Sequence, residues 1–97
     1  MSDIRLEPGT VLRHRSGVLF RELEGEAVLL DLDAGTYFGL NEVGTRAWAL
    51  IGEGVALGGV REALLREYEV APERLWEDLL ALVGELLERR LVELAPL

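Results

Sequence analysis

The side chains able to do chemistry are few, and their spacing gathers none of them into a reaction centre. His14 is the only histidine, so a metal site would rest on carboxylates alone, and the eighteen acidic residues show no spacing that would bring them round an ion. His14 is expected to be a solvated strand residue. Cysteine is absent, which removes thiolate metal ligands, thiol nucleophiles and disulfides. Ser2 stands near one end and Ser16 in a turn, neither within Gly-x-Ser-x-Gly. The glycine-rich run from Gly52 to Gly59 has neither Gly-x-Gly-x-x-Gly nor a Lys-Ser/Thr ending, so it cannot cradle phosphate. The glutamates fall mostly on polar helix faces, where a solvated surface is the default. The expectation is a binding domain with no catalytic residue, no metal and no cofactor, not an enzyme.

The composition limits the partners as well. A formal charge of −8 disfavours nucleic acid and anionic membranes, which need clustered Lys and Arg, and all ten cations are scattered arginines. With 49% hydrophobic and 29% charged residues the chain is of ordinary globular composition, and no window approaches the roughly 18 apolar residues of a membrane span. The absence of cysteine and of a secretory signal pattern favours the cytoplasm. Residues 1–97 are read as one domain.

The elements that must position any site are organised around Gly35 to Gly52. Thr36, Phe38 and Leu40 alternate with Tyr37 and Gly39 as a short strand. Asn41 is then a favoured N-cap, and Val43, Ala47, Leu50 and Ile51 follow at helical spacing. Before this junction, Met1 to Gly9 reads as an irregular lead-in, Val11–Arg15 and Val18–Leu23 as extended pieces, and Glu26–Leu32 as a strand apolar on both faces. Together they predict an antiparallel sheet of about three strands over roughly residues 11–40, followed by helices over about 41–52, 60–69 and 72–90. Gly52 to Gly59 reads as a link, and Pro72 as the first residue of the third helix, with Val70 and Leu75 as a hydrophobic staple. Arg89 and Arg90 are expected in its last turn, and Leu91 to Leu94 as a brief extended tail. The fold class is α+β.

The third helix carries too much apolar surface for one contact. At 100° per residue Leu75, Trp76, Leu79, Leu80, Leu82, Val83, Leu86 and Leu87 span roughly 160°, against the stripe of about 100° that one core-facing surface needs. Either the helix is central and packed on several sides, or one flank lines an apolar groove for a partner. A groove between a helix and a sheet edge suits an extended peptide. Gly84, in mid-helix, marks either a close backbone approach or a tolerated position.

The ordered set Val28-Leu29-Leu30-Asp31-Leu32, the turn to Gly35, Tyr37-Phe38-Gly39-Leu40-Asn41-Glu42-Val43-Gly44, Trp48-Ala49-Leu50-Ile51, Asp78-Leu79 and Leu86 to Val92 resembles the PqqD-like family, the RiPP precursor recognition elements. Within it the chain looks most like the B1 proteins of lasso peptide biosynthesis. The resemblance implies a winged helix-turn-helix-like body behind a three-stranded sheet. It implies as ligand the leader of a ribosomally made precursor peptide, added as a strand beside Thr36–Leu40 and packed on the third helix. The implied partners are a separate B2-type cysteine leader peptidase and a cyclase. The expected peptide-binding residues are Leu30, Tyr37 and Phe38, the main chain of Thr36 to Leu40 including Gly39, Leu75, Leu79, Leu82 and Leu86, with Asp78 and Arg89 meeting polar groups. Trp48 is expected in the core. The alternatives are a PqqD-type chaperone that presents a precursor to a radical-SAM enzyme, and a homodimerising structural domain. The expected state is a monomer or weak homodimer. A winged-helix DNA binder is disfavoured by the charge and by the acids of the third helix.

Overall fold

The structure is a computed structural model that describes residues 5–96. Ser2 and the start of the lead-in lie outside them. Chain order is β1 (Leu12–His14), β2 (Val18–Leu23), β3 (Glu26–Asp31), β4 (Thr36–Leu40), α1 (Glu42–Gly52), α2 (Leu57–Glu67), α3 (Pro72–Glu88) and β5 (Val92–Leu94). The class is α+β, with a three-stranded antiparallel sheet in the order β2-β3-β4 and a separate pair, β1 with β5. These elements do not by themselves establish a winged-helix arrangement.

The meander holds the expected strands, closed by turns the sequence dictates. Glu24 and Gly25 both take positive φ, the conformation of a tight two-residue hairpin loop, and Leu23 pairs with Glu26 across it. Asp31 faces Thr36 across the next turn, where its carboxylate accepts from the Asp33 and Ala34 N–H groups. Asn41 caps α1 as expected, its Oδ1 accepting from the Gly44 N–H at 2.8 Å.

Three local expectations are corrected. Val11–Arg15 does not join the meander: Leu12–His14 pairs with Val92–Leu94, so the C-terminal extension is a strand partner of the N-terminal one. The second helix begins at Leu57, and Gly58 and Gly59 lie inside its first turn. The physical reason is a close approach: the Gly58 N–H donates to the Pro8 carbonyl at 2.7 Å, and a Cβ on Gly58 would stand 3.0 Å from Pro8 Cβ. Arg89 and Arg90 sit just beyond α3, as its C-cap and a left-handed residue, not in its last turn.

The core lies between the inner face of the sheet and the helices. Leu12, Leu29, Ile51, Leu57, Val60, Leu64, Val83, Leu86 and Val92 are all but inaccessible, each worth about 1.5–3 kcal/mol of burial. On α3 the fully covered stripe is narrower than the apolar arc: Leu75, Leu79, Val83 and Leu86 are buried, while Trp76, Leu80, Leu82 and Leu87 are only partly so. One flank of that surplus is shielded by Arg61, whose guanidinium lies 4.6 Å over the Trp76 ring. Trp48 is core, as expected. No backbone approaches Gly84: a Cβ there would meet nothing within 4 Å.

His14 is not the solvated residue expected. Its ring stacks on Trp48 at 3.6 Å and 9°, and Nε2 lies 2.8 Å from the Trp48 carbonyl. Burial lowers its pKa, against a smaller upward pull from that carbonyl. The stack fastens the β1–β5 pair to α1, and Gly52 leaves it room, because a Cβ there would fall 2.6 Å from His14 Cε1.

Candidate functional site

Strand β4 is an edge, and its register dictates which of its main-chain groups are free. The two-residue loop makes Leu23 and Glu26 exchange both hydrogen bonds, so along β3 the bonds of Glu26, Val28 and Leu30 point to β2. Those of Ala27, Leu29 and Asp31 must then point to their β4 partners Leu40, Phe38 and Thr36. The N–H and C=O groups of Tyr37 and Gly39 are therefore the ones directed away from the sheet. Of the main chain from Thr36 to Leu40, these two residues are the ones able to accept another strand.

Beside this edge lies an apolar groove of about 450 Å³. One wall is Gly39, Leu40 and Asn41, the floor is Val43, Gly44 and Ala47 of α1 with Leu64 of α2, and the far wall is Val70, Leu75, Leu79 and Leu82. The local sequence builds each part. The strand-to-helix junction at Asn41 turns α1 beneath the edge, and the Pro72 start carries Val70 across to Leu75 as a staple over the groove's end. Arg74 and Asp78, paired at 3.4 Å, form a polar rim. Toward the C-terminal end of α3, Arg89 lies 5.1 Å over the Phe38 ring and 3.7 Å from Glu85.

The structure thus brings Gly39, Leu40, Leu75, Asp78, Leu79 and Leu82 together around one groove. Phe38 and Arg89 stack on each other, while Leu86 is fully buried core. Leu30 and Tyr37 stand apart from the groove. They pair across the sheet on its outer face, opposite to the Leu29–Phe38 face that meets the helices, and Tyr37 is 73% exposed. The alternation that puts Leu29 inside puts both outside, so they are corrected as groove-wall residues. Thr36 is exposed and its main chain is engaged by Asp31. Asn41, Val43, Gly44, Ala47, Leu64, Val70 and Arg74 also line the groove, and none of them is among the expected peptide-binding residues. Val43 and Ala47 share a helical face that follows directly from the Asn41 cap, and Val70 from the staple.

A second concavity, of about 510 Å³, shares Gly39, Leu40 and Asn41 with the groove and runs across Ala27 and Val28 to Leu23, Glu24 and Glu26 at the hairpin end of the sheet. An extended chain laid along β4 would send alternate side chains into the two hollows. Among the described residues no cluster of His, Asp and Glu is arranged to hold a metal, and no helix is long and apolar enough to cross a membrane.

The chain is similar to known proteins over most of its length. Residues 26–92 match the family described as Coenzyme PQQ synthesis protein D (PqqD). The solved structure of TbiB1 in complex with the TbiA(beta) leader peptide is similar at a TM-score of 0.77 and 34% identity, over 84% of this chain and 94% of that one. A lasso peptide synthetase B1 complexed with the leader peptide is similar at a TM-score of 0.76 and 28% identity, over 84% and 96%. No curated protein sequence matches the chain.

Proposed function

The chain belongs to the PqqD family, and from that premise we propose that it binds the leader of a ribosomally made precursor peptide as a strand on the β4 edge and presents it to a separate processing enzyme. The observation that carries this is the edge itself: Tyr37 and Gly39 turn their main-chain groups outward along β4, and the Gly39–Asn41 end of that edge walls an apolar groove. Main-chain pairing supplies affinity without regard to sequence, and the groove selects side chains. Leu75, Leu79 and Leu82 with Leu40 receive the apolar residues of the leader, Phe38 and Arg89 bound the far end, and Asp78 meets polar groups at the rim. Leu30 and Tyr37 contribute on the outer face, and Leu86 supports the wall from within.

The pathway that fits best is lasso peptide biosynthesis, supported by the two similar B1 structures that hold leader peptides. In this reading the chain is one domain with no chemistry of its own. A B2-type cysteine peptidase cuts the leader and a cyclase closes the ring. Tethering the leader raises the effective concentration of the scissile bond at the peptidase. The family's own description favours a second reading, in which the precursor is that of a quinone cofactor and the enzyme served is a radical-SAM protein. Calorimetric titration tests both, with a synthetic leader from the precursor gene nearest to this one and its core segment as control. One-to-one binding of leader but not core is expected, with a negative heat-capacity change. Equal binding of both, or of neither, to the folded protein would refute the proposal.

A further inference from the structure

We propose that Gly39 is the floor of a second side-chain subsite, on the outer face of the sheet, which takes an aromatic residue of the added strand and so fixes its register. The inference rests on the strand-addition reading above, and its observations come from the face of the sheet opposite the groove.

Across the outer face, Arg21, Val28 and Gly39 are directly opposite one another in β2, β3 and β4. Gly39 contributes no side chain to that row, so Val28 is left 38% exposed at the edge of a concavity of about 510 Å³. The glycine is not there for want of room or for its backbone: a Cβ would meet nothing within 4 Å, and its φ is not in the left-handed region. A glycine in a strand interior weakens the strand, and such positions often mark close approach by another chain.

Gly39 is also one of the two β4 residues whose main-chain groups face the open edge. A strand paired there sets one of its residues opposite Gly39, with its side chain on the outer face whichever way the strand runs. That side chain finds a bare backbone and the Val28 methyls beyond it. A flat ring laid over an edge glycine covers both, the contact by which aromatic residues compensate cross-strand glycines. Two residues along, the outer position faces the Tyr37 ring. The large side chain is thus accommodated in one register, and a shift by two places it against Tyr37. A shift by one would turn it into the α3 groove.

The test is a double-mutant cycle between the protein and the synthetic leader. Gly39→Val fills the subsite from below, and β-branching suits a strand, so thermal unfolding is expected at or above the wild-type temperature. Leader affinity is expected to fall at least about tenfold, as for loss of an interface anchor. In an alanine scan of the leader, one aromatic residue is expected to cost at least about tenfold with the wild-type protein but less than about twofold with Gly39→Val, the other positions keeping their costs. Val28→Thr, which changes the same subsite from the neighbouring strand, is expected to weaken the same leader residue's contribution. If Gly39→Val and Val28→Thr bind the leader as the wild type does, or if no truncation interacts with Gly39→Val, the subsite is refuted while leader binding stands. If the wild-type protein binds no leader, both readings fall.

Discussion

The hydrogen-bond alternation along β4 makes a sharp prediction about neighbouring residues. Tyr37→Pro removes an N–H directed away from the sheet, whereas Phe38→Pro removes one directed at Leu29. Proline is tolerated on an edge strand where the missing donor faces solvent. The Tyr37 side chain is 73% exposed, so its loss from the folded protein costs little, and Tyr37→Thr serves as the control for that loss. Chemical denaturation should find Tyr37→Pro within about 1 kcal/mol of Tyr37→Thr, and Phe38→Pro destabilised by about 3 kcal/mol or more. Binding should discriminate in the other direction. In Tyr37→Pro, a leader carbonyl brought to the edge at this position would find no donor and be left unpaired, at a cost of about 1–3 kcal/mol. That is a loss of roughly 5- to 150-fold in affinity relative to Tyr37→Thr, read by calorimetric titration with the leader. If Tyr37→Pro binds the leader as tightly as Tyr37→Thr, no strand is received by that N–H, and the assigned register is refuted.

Three further outcomes follow from the packing. Gly84→Ala should raise stability by up to about 1 kcal/mol, since the position is helical and unobstructed; chemical denaturation checks it. Gly52→Ala should lower stability by about 1–3 kcal/mol, because its methyl group would enter the space of the His14 ring, with a loss of Trp48 near-ultraviolet signal as the His14–Trp48 stack loosens. His14 titrates below its ordinary value in the folded protein, so the unfolded chain takes up the proton more readily. Its contribution to stability is full above about pH 6.5 and is lost as the pH falls through the lowered folded value. Denaturation midpoints measured between about pH 8 and 5 should fall more steeply for the wild type than for His14→Gln.

The junction at Asn41 was the most legible part of the fold, because a strand period, a capping side chain and a helical period meet there within a few residues. The pairing of Leu12–His14 with Val92–Leu94 was not legible, since it joins segments 80 residues apart that carry no local sign of each other. The same distance hid the setting of His14, whose stacking partner Trp48 is 34 residues away. Strand β3 is apolar on both faces, so alternation alone could not say that Leu29 turns inward and Leu30 outward. That ambiguity put Leu30 and Tyr37 on the wrong wall. Gly58 and Gly59 have the composition of a linker, and only the approach of Pro8 shows why a helix starts among them. On α3 the surplus apolar width was visible as a pattern. Which flank stays open depends on Arg61 covering Trp76 while Leu82 faces β4, and that is a matter of tertiary packing.

The central claim, that the leader is received as a strand on β4, is tested most directly by residue-resolved amide hydrogen exchange with and without the synthetic leader. In the free protein Phe38 and Leu40, bonded to β3, should exchange slowly, and Tyr37 and Gly39 quickly. At saturation Tyr37 and Gly39 should become slow while Phe38 and Leu40 change little. Unaltered exchange at Tyr37 and Gly39, with the leader demonstrably bound, would contradict strand addition at this edge.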